Sequence, residues 1–162
     1  MARIKEEKTN AMRILEQAGI PFETLSYEVD ENDLSGVHLA SVLHLPPEQV
    51  FKTLVAKGDK NGHCVFVIPV AEELDLKKCA KASGNKRVEM IPMKELLPLT
   101  GYIRGGCSPV GMKKPFPTYF DETATLLDRI YVSAGVRGKQ FCLEPMALCD
   151  FLGAFFDDLT MR

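Results

Sequence analysis

Lys52 has the most to explain. The run Gln49-Val50-Phe51-Lys52-Thr53-Leu54-Val55-Ala56 reads as a buried strand, and a lysine in such a strand is expensive to bury unless its charge is used. Alternation places Val50, Lys52 and Leu54 on one face and Phe51, Thr53 and Val55 on the other. Inside a pocket the ammonium would be a fixed positive charge suited to a phosphate or a developing oxyanion. The alternative is an edge lysine that reaches solvent. A second feature is Gly101-Tyr102-Ile103-Arg104-Gly105-Gly106-Cys107-Ser108-Pro109-Val110-Gly111, with four glycines and one proline in eleven residues. Gly105 and Gly106 would let backbone come close to a ligand, or would simply form a bulge and turn.

Other chemistries lack their residues. There is no Gly-x-x-x-x-Gly-Lys-Ser/Thr phosphate loop and no Gly-x-Gly-x-x-Gly. Ser108 lies near glycines, but the sequence around it does not close as a nucleophile elbow. His38, His44 and His63 match no common zinc spacing, and nothing points to a Ser-His-acid triad. The five cysteines (Cys64, Cys79, Cys107, Cys142, Cys149) are odd in number and contain no Cys-x-x-Cys pair, so reduced, scattered thiols are expected. Cys107 sits in the glycine-rich loop without a histidine nearby in sequence, which argues against a catalytic thiol. No metal or cofactor is expected.

The net charge of −2 hides an asymmetry. Residues 77–119 hold nine basic groups and two acids, a balance of +7, which leaves −9 for the rest. Such a segment could form a face that meets phosphate, or scatter over the surface after folding. No apolar run approaches the roughly 18 residues of a membrane span, and the charged start Met1 to Lys8 lacks the apolar stretch of a signal peptide. A cytoplasmic address without membrane or DNA partners is expected.

These features need elements to position them. Apolar residues make up 46% of 162, enough for one domain, 1–162, to bury its core without a staple. The expected helices are Lys5 to Ala18, Val37 to Leu43 broken by Pro46-Pro47, Asp75 to Ser83, Met93 to Leu97, and a last one from Pro145 to near Gly153. Expected strands are Phe22 to Tyr27, Gln49 to Ala56, His63 to Ile68, Lys86 to Ile91, Thr118 to Asp121, Ile130 to Ser133 and Gln140 to Leu143, with residues 57–62 as turn chemistry. Interspersed short strands and helices indicate an α/β (α+β) domain with a mixed, mostly antiparallel, barrel-like sheet.

The chain resembles the YbaK/EbsC family, free-standing relatives of the editing domain of bacterial prolyl-tRNA synthetases. The resemblance runs over almost the whole length. Its anchors are Leu25-Ser26-Tyr27-Glu28, Val50-Phe51-Lys52-Thr53-Leu54, Leu74-Asp75-Leu76-Lys77-Lys78, Gly101-Tyr102 with Gly105 to Pro109, and Ile130-Tyr131-Val132-Ser133-Ala134-Gly135. It implies cleavage of the ester joining an amino acid to the 3′ ribose of tRNA. The YbaK branch looks like a deacylase of Cys-tRNA(Pro), with Cys-tRNA(Cys) as a second substrate, in which the substrate's own thiol attacks its carbonyl and leaves as a cyclic thiolactone. On this resemblance Lys52 and Gly105 carry the catalytic roles. Tyr27, Thr53, Gly106, Ser108, Pro109, Ser133 and Gln140 bind substrate.

The departure is Gln140, where the cysteine-specific branch usually has an aspartate. A glutamine hydrogen-bonds without charge, which opens the amino-acid preference to another small residue. The expected partners are the 3′ end of aminoacyl-tRNA and a prolyl-tRNA synthetase, the chain itself being a monomer or weak homodimer. A module that holds aminoacyl-tRNA or a synthetase without catalysis is the reading from another class.

Overall fold

A computed structural model describes residues 8–162. The first helix, α1, spans Asn10–Ala18. It starts later than expected because Thr9 caps it, its hydroxyl accepting from the Met12 N–H. The Lys5 to Glu7 part of the expected helix lies outside the described residues. Strand β1 is Glu23–Ser26, and helix α2 is Gly36–Val42 with Ser35 as its cap. Pro46 and Pro47 do not end α2. Leu43 is its C-cap, and His44 follows in the left-handed region at φ 55°. A 3-10 turn over Pro47–Gln49 then leads into β2, Phe51–Gly58.

The hairpin from β2 to β3 (Gly62–Pro69) is in register from Phe51 opposite Pro69 to Gly58 opposite Gly62. Only Asp59, Lys60 and Asn61 form the turn, so strand pairing takes up half of the segment expected to be loop. Helix α3 (Leu76–Ala82) has the expected caps, Asp75 at its start and Ser83 with Gly84 at its end. Strand β4 is shorter than expected, Val88–Met90, and a 3-10 turn at Met93–Glu95 runs into α4, Leu96–Thr100. Strands β5 (Thr118–Asp121), β6 (Ile130–Ser133) and β7 (Lys139–Leu143) and helix α5 (Pro145–Leu152) follow. A last strand, β8 (Phe155–Asp157), was not expected.

The sheet is mixed and mostly antiparallel, but it does not close into a barrel. It forms two units, β1-β7-β6 and β4-β2-β3-β5-β8. The pairs β3–β5 and β5–β8 are parallel, and the others are antiparallel. An isolated parallel bridge from Val50 to Tyr131 connects the two units. Phe51, Val55 and Phe120 of the larger sheet pack with Val132 and Phe141 of the smaller one and with Leu15 of α1, forming the main core. Each such side chain contributes about 1.5–3 kcal/mol on burial. The opposite face of β2 and β3 carries a second cluster, Ala56, Phe66 and Ile68, covered by Cys79 and Ala80 of α3.

This arrangement leaves a gap. Strand β4 pairs with β2 only at Ala56, Lys57 and Gly58, and the bridge to the smaller sheet is at Val50. Between those points no strand among the described residues lies beside the outer edge of β2.

Candidate active site

A cavity of about 520 Å³ lies along that open edge. Its walls come from β2, from the start of α2 (Leu34 to Gly36), from Met90, Ile91, Met93 and Leu96, and from Arg104, Gly105 and Cys107. Ser133 of β6 and Gln140 of β7 close the side formed by the smaller sheet, where they are register partners. The wall is mostly apolar, with a few polar groups converging on it, the usual character of a small-ligand site.

Lys52 is half-buried and makes no ion pair within 4 Å among the described residues. Burial holds its ammonium below the ordinary lysine range, and Glu73 and Glu72 pull it back in part. Two buried polar atoms on the cavity wall lack a hydrogen-bond partner: Thr53 Oγ1 and Gln140 Oε1. An unpartnered buried acceptor costs about 1–3 kcal/mol, so these two atoms mark where a ligand's donors would fit. Ser133 is 8% exposed and its hydroxyl accepts from the Gly135 N–H.

Gly105 sits at φ 85°, a conformation that favours glycine, and its N–H donates no hydrogen bond among the described residues. Gly106 is buried for another reason. A Cβ there would lie 3.0 Å from the Arg137 backbone nitrogen and 3.2 Å from the Val136 carbonyl carbon. The glycine-rich loop thus lies directly against the turn that follows Ser133. A hydrogen bond of 2.8 Å from Arg137 Nε to the Arg104 carbonyl fastens the two together.

The fold brings Lys52, Thr53, Gly105, Ser133 and Gln140 onto one cavity. It places the other residues singled out in the sequence elsewhere. Tyr27 lines a small recess next door that shares Leu34, Ser35, Leu39 and Gly105 with the cavity. Gly106, Ser108 and Pro109 are buried behind the loop, where the Ser108 hydroxyl accepts from the Val110 N–H. Sequence reasoning missed Gly36, Met90, Met93 and Arg104 as wall residues. Two left a trace: Met90 and Met93 are long apolar side chains that stay 44% and 59% exposed. Gly36 has no space for a side chain because a Cβ would come within 2.3 Å of Val70.

Neither a histidine nor an ionised cysteine is available in the cavity to act as nucleophile or base. None of the three histidines lines it. Cys107 does, but burial pushes its thiol up to about 12, far from a thiolate. All five cysteines are free. Among the described residues no group of three or more His, Cys, Asp and Glu could hold a metal ion, and no helix is long and apolar enough to cross a membrane.

Comparison with known proteins gives a consistent result. The profile of the aminoacyl-tRNA editing domain matches residues 35–151. A protein of Enterococcus faecalis (strain ATCC 700802 / V583), named EbsC as a candidate Cys-tRNA(Pro)/Cys-tRNA(Cys) deacylase, is 49% identical, with 100% of this chain and 99% of that protein aligned. The crystal structure of a candidate trans-editing enzyme for prolyl-tRNA synthetase is 26% identical with a TM-score of 0.80, covering 97% of this chain and 100% of that one. A hypothetical protein of known structure, 21% identical, superposes with a TM-score of 0.83 over 91% of this chain and 97% of its own, and shows the same fold.

Proposed function

The chain belongs to the aminoacyl-tRNA editing domain family, and from that membership we propose that it is a deacylase that removes cysteine from mischarged tRNA(Pro), and from tRNA(Cys) as a second substrate. One observation carries this reading. The cavity offers a positive charge and unpartnered acceptors, but no histidine, and its one cysteine is held far from a thiolate. Such a site can position and stabilise, and it leaves the attacking group to the substrate.

A cysteinyl ester supplies that group. Its sulfur attacks its own carbonyl, the new S–C bond forms, and the bond from the carbonyl carbon to the ribose oxygen breaks. The proton lost by the thiol ends on the ribose hydroxyl, and the product is a cyclic thiolactone. Lys52 and the free N–H of Gly105 stabilise the negative charge that develops on the carbonyl oxygen. Thr53, Ser133 and Gln140 accept from the α-ammonium and keep the thiol near the carbonyl, an intramolecular advantage that can be large. Tyr27 lines the adjoining recess, where it would meet a part of the substrate that extends past Gly105. Gly106, Ser108 and Pro109 support the loop rather than touch substrate. A prolyl-tRNA synthetase is the partner suggested by the solved trans-editing relative.

The test is a side-by-side rate measurement on Cys-, Ser-, Ala- and Pro-tRNA, with and without a prolyl-tRNA synthetase. Cys-tRNA should be cleaved far faster than Ser-tRNA, since a hydroxyl is a much weaker nucleophile near neutral pH. Equal rates on Cys- and Ser-tRNA would overturn the substrate-thiol mechanism, and no cleavage of any of the four would leave only a binding module.

A further inference from the structure

We propose that Lys60, Lys77, Lys81, Lys86 and Arg87 form a second, separate phosphate-binding surface that grips the double-stranded acceptor stem of the tRNA whose 3′ end enters the cavity; this rests on the editing reading above.

The basic segment 77–119 does not fold into one face. Lys78 is tied to Asp158 at 2.9 Å and to the Thr160 carbonyl at 2.8 Å, and Arg104 lies on the cavity wall. What stays together is the end of α3 and the loop after it, joined by Lys60 from the β2–β3 turn. Three side chains tie those turns together through their backbones. Asn85 Oδ1 accepts from the Lys60 N–H at 3.0 Å and the Asn61 N–H at 2.8 Å. Asp59 Oδ1 accepts from the Lys86 N–H at 3.0 Å and the Arg87 N–H at 3.1 Å. Asn61 Nδ2 donates back to the Ser83 and Gly84 carbonyls at 2.9 and 3.1 Å. The clamp is tight enough that a Cβ on Gly58 would lie 2.3 Å from the Asn85 carboxamide. Lys77 and Lys81 stand one turn apart on α3, which runs straight into the clamp.

All five cations are exposed, and none makes an ion pair within 4 Å among the described residues. The acids beside them are Asp59 and Asp75, both already accepting backbone N–H groups, and Glu89, which shares the strand face of Arg87, so the patch carries +5 against −3. Residues 59–61 and 76–88 contain no aromatic side chain, so the patch lacks the rings on which successive unpaired bases stack. A rigid array of exposed Lys and Arg suits the phosphates of a duplex.

The placement fits one molecule spanning both sites. Lys52, Leu54, Ala56 and Gly58 share one face of β2, and α3 and Asn85 pack on that same face. From Lys52 to Gly58 the strand covers about 20 Å. An aminoacyl-adenosine cannot reach across that distance, whereas a tRNA with its 3′ end in the cavity has its stem at about that range.

The experiment compares binding of a tRNA acceptor-stem minihelix ending in its single-stranded 3′ tail with binding of an unstructured RNA of equal length. The proteins are wild type, Lys81→Glu/Lys86→Glu/Arg87→Glu, and the milder Lys60→Gln/Lys77→Gln/Lys81→Gln, with folding checked by thermal melts. Minihelix affinity of wild type should fall with salt, and the slope of log K against log salt should shrink by about 0.9 for each phosphate that a variant no longer neutralises. In deacylation of Cys-tRNA the variants should raise KM and leave kcat unchanged. Variants that bind the minihelix as wild type does, or that lose the minihelix and the unstructured RNA equally, overturn the proposal. A patch-dependent minihelix affinity without cleavage of any aminoacyl-tRNA would overturn the editing reading and support the patch. Cleavage with an unchanged KM in both variants would do the reverse.

Discussion

Lys52 and Thr53 are neighbours in β2 whose side chains leave opposite faces of the sheet, yet both line the same cavity. This is possible because no strand among the described residues lies beside the edge of β2 between Val50 and Ala56. The cavity wraps around the edge and meets both faces.

Replacing Lys52 tests the charge. Lys52→Met should reduce deacylation by about 10²–10³, the loss typical for one preorganised group that stabilises an oxyanion. The fold should melt no lower than wild type, because burial already disfavours the ammonium. Steady-state rates and thermal melts of the same preparation check both halves.

The pH dependence follows from the same shift. Lys52 lies below the ordinary lysine value of 10.5. In the proposed mechanism the charged form is the active one, so enzyme-dependent rate should fall with rising pH at lower pH than an exposed lysine would give. Stability moves the other way. The unfolded chain binds this proton more tightly than the fold does, so the wild-type contribution relative to Lys52→Met becomes more favourable as pH rises through the folded pKa toward the unfolded one. A pH–rate profile corrected for spontaneous ester hydrolysis, with melts of both proteins, measures the two trends.

Thr53→Val should separate stability from function. The hydroxyl oxygen is buried without a partner, and valine keeps the shape. The variant should be more stable by about 1 kcal/mol, while binding of aminoacyl-tRNA weakens. Denaturant unfolding and KM are the readouts.

Cys107→Ala should keep wild-type deacylation. With its thiol near 12, Cys107 should also alkylate slowly with iodoacetamide at pH 8. Loss of turnover in Cys107→Ala would return this cysteine to the mechanism.

Gly106→Ala should destabilise more than a typical surface change. The added methyl meets backbone of residues 136 and 137 that no rotamer change can move, and overpacking of this kind costs about 1–3 kcal/mol. For a domain of this size each kcal/mol lowers Tm by about 2–4 °C, which a melt resolves.

Much of this was legible in the residues. Lys52 stood out because a charge interrupts an apolar strand, and Asp75 and Gly84 announced both ends of α3. The rest depended on long-range packing. His44 ends α2 through a left-handed backbone that a histidine rarely adopts, so the prolines nearby drew the boundary instead. Phe155 to Asp157 became a strand only because β5 offers it a parallel edge. The wall residues at 34–36, 90–93 and 104 belong to loops and short elements whose role is set by which open strand edge they come to face. That Tyr27 lines the adjoining recess and that Ser108 is buried, its hydroxyl accepting from the Val110 N–H, depended on packing of the same kind.

Gly106 packs so near the backbone of Val136 and Arg137 that a side chain there would collide with it. Two stretches without regular structure are thereby pressed together, and they carry Gly105 on one side and Ser133 on the other. On the proposed function, an aminoacyl group would meet a socket shaped before it arrives. Discrimination between amino acids then lies in how long each one stays, and substrates that differ by a single atom should differ in their dissociation rates far more than in their association rates.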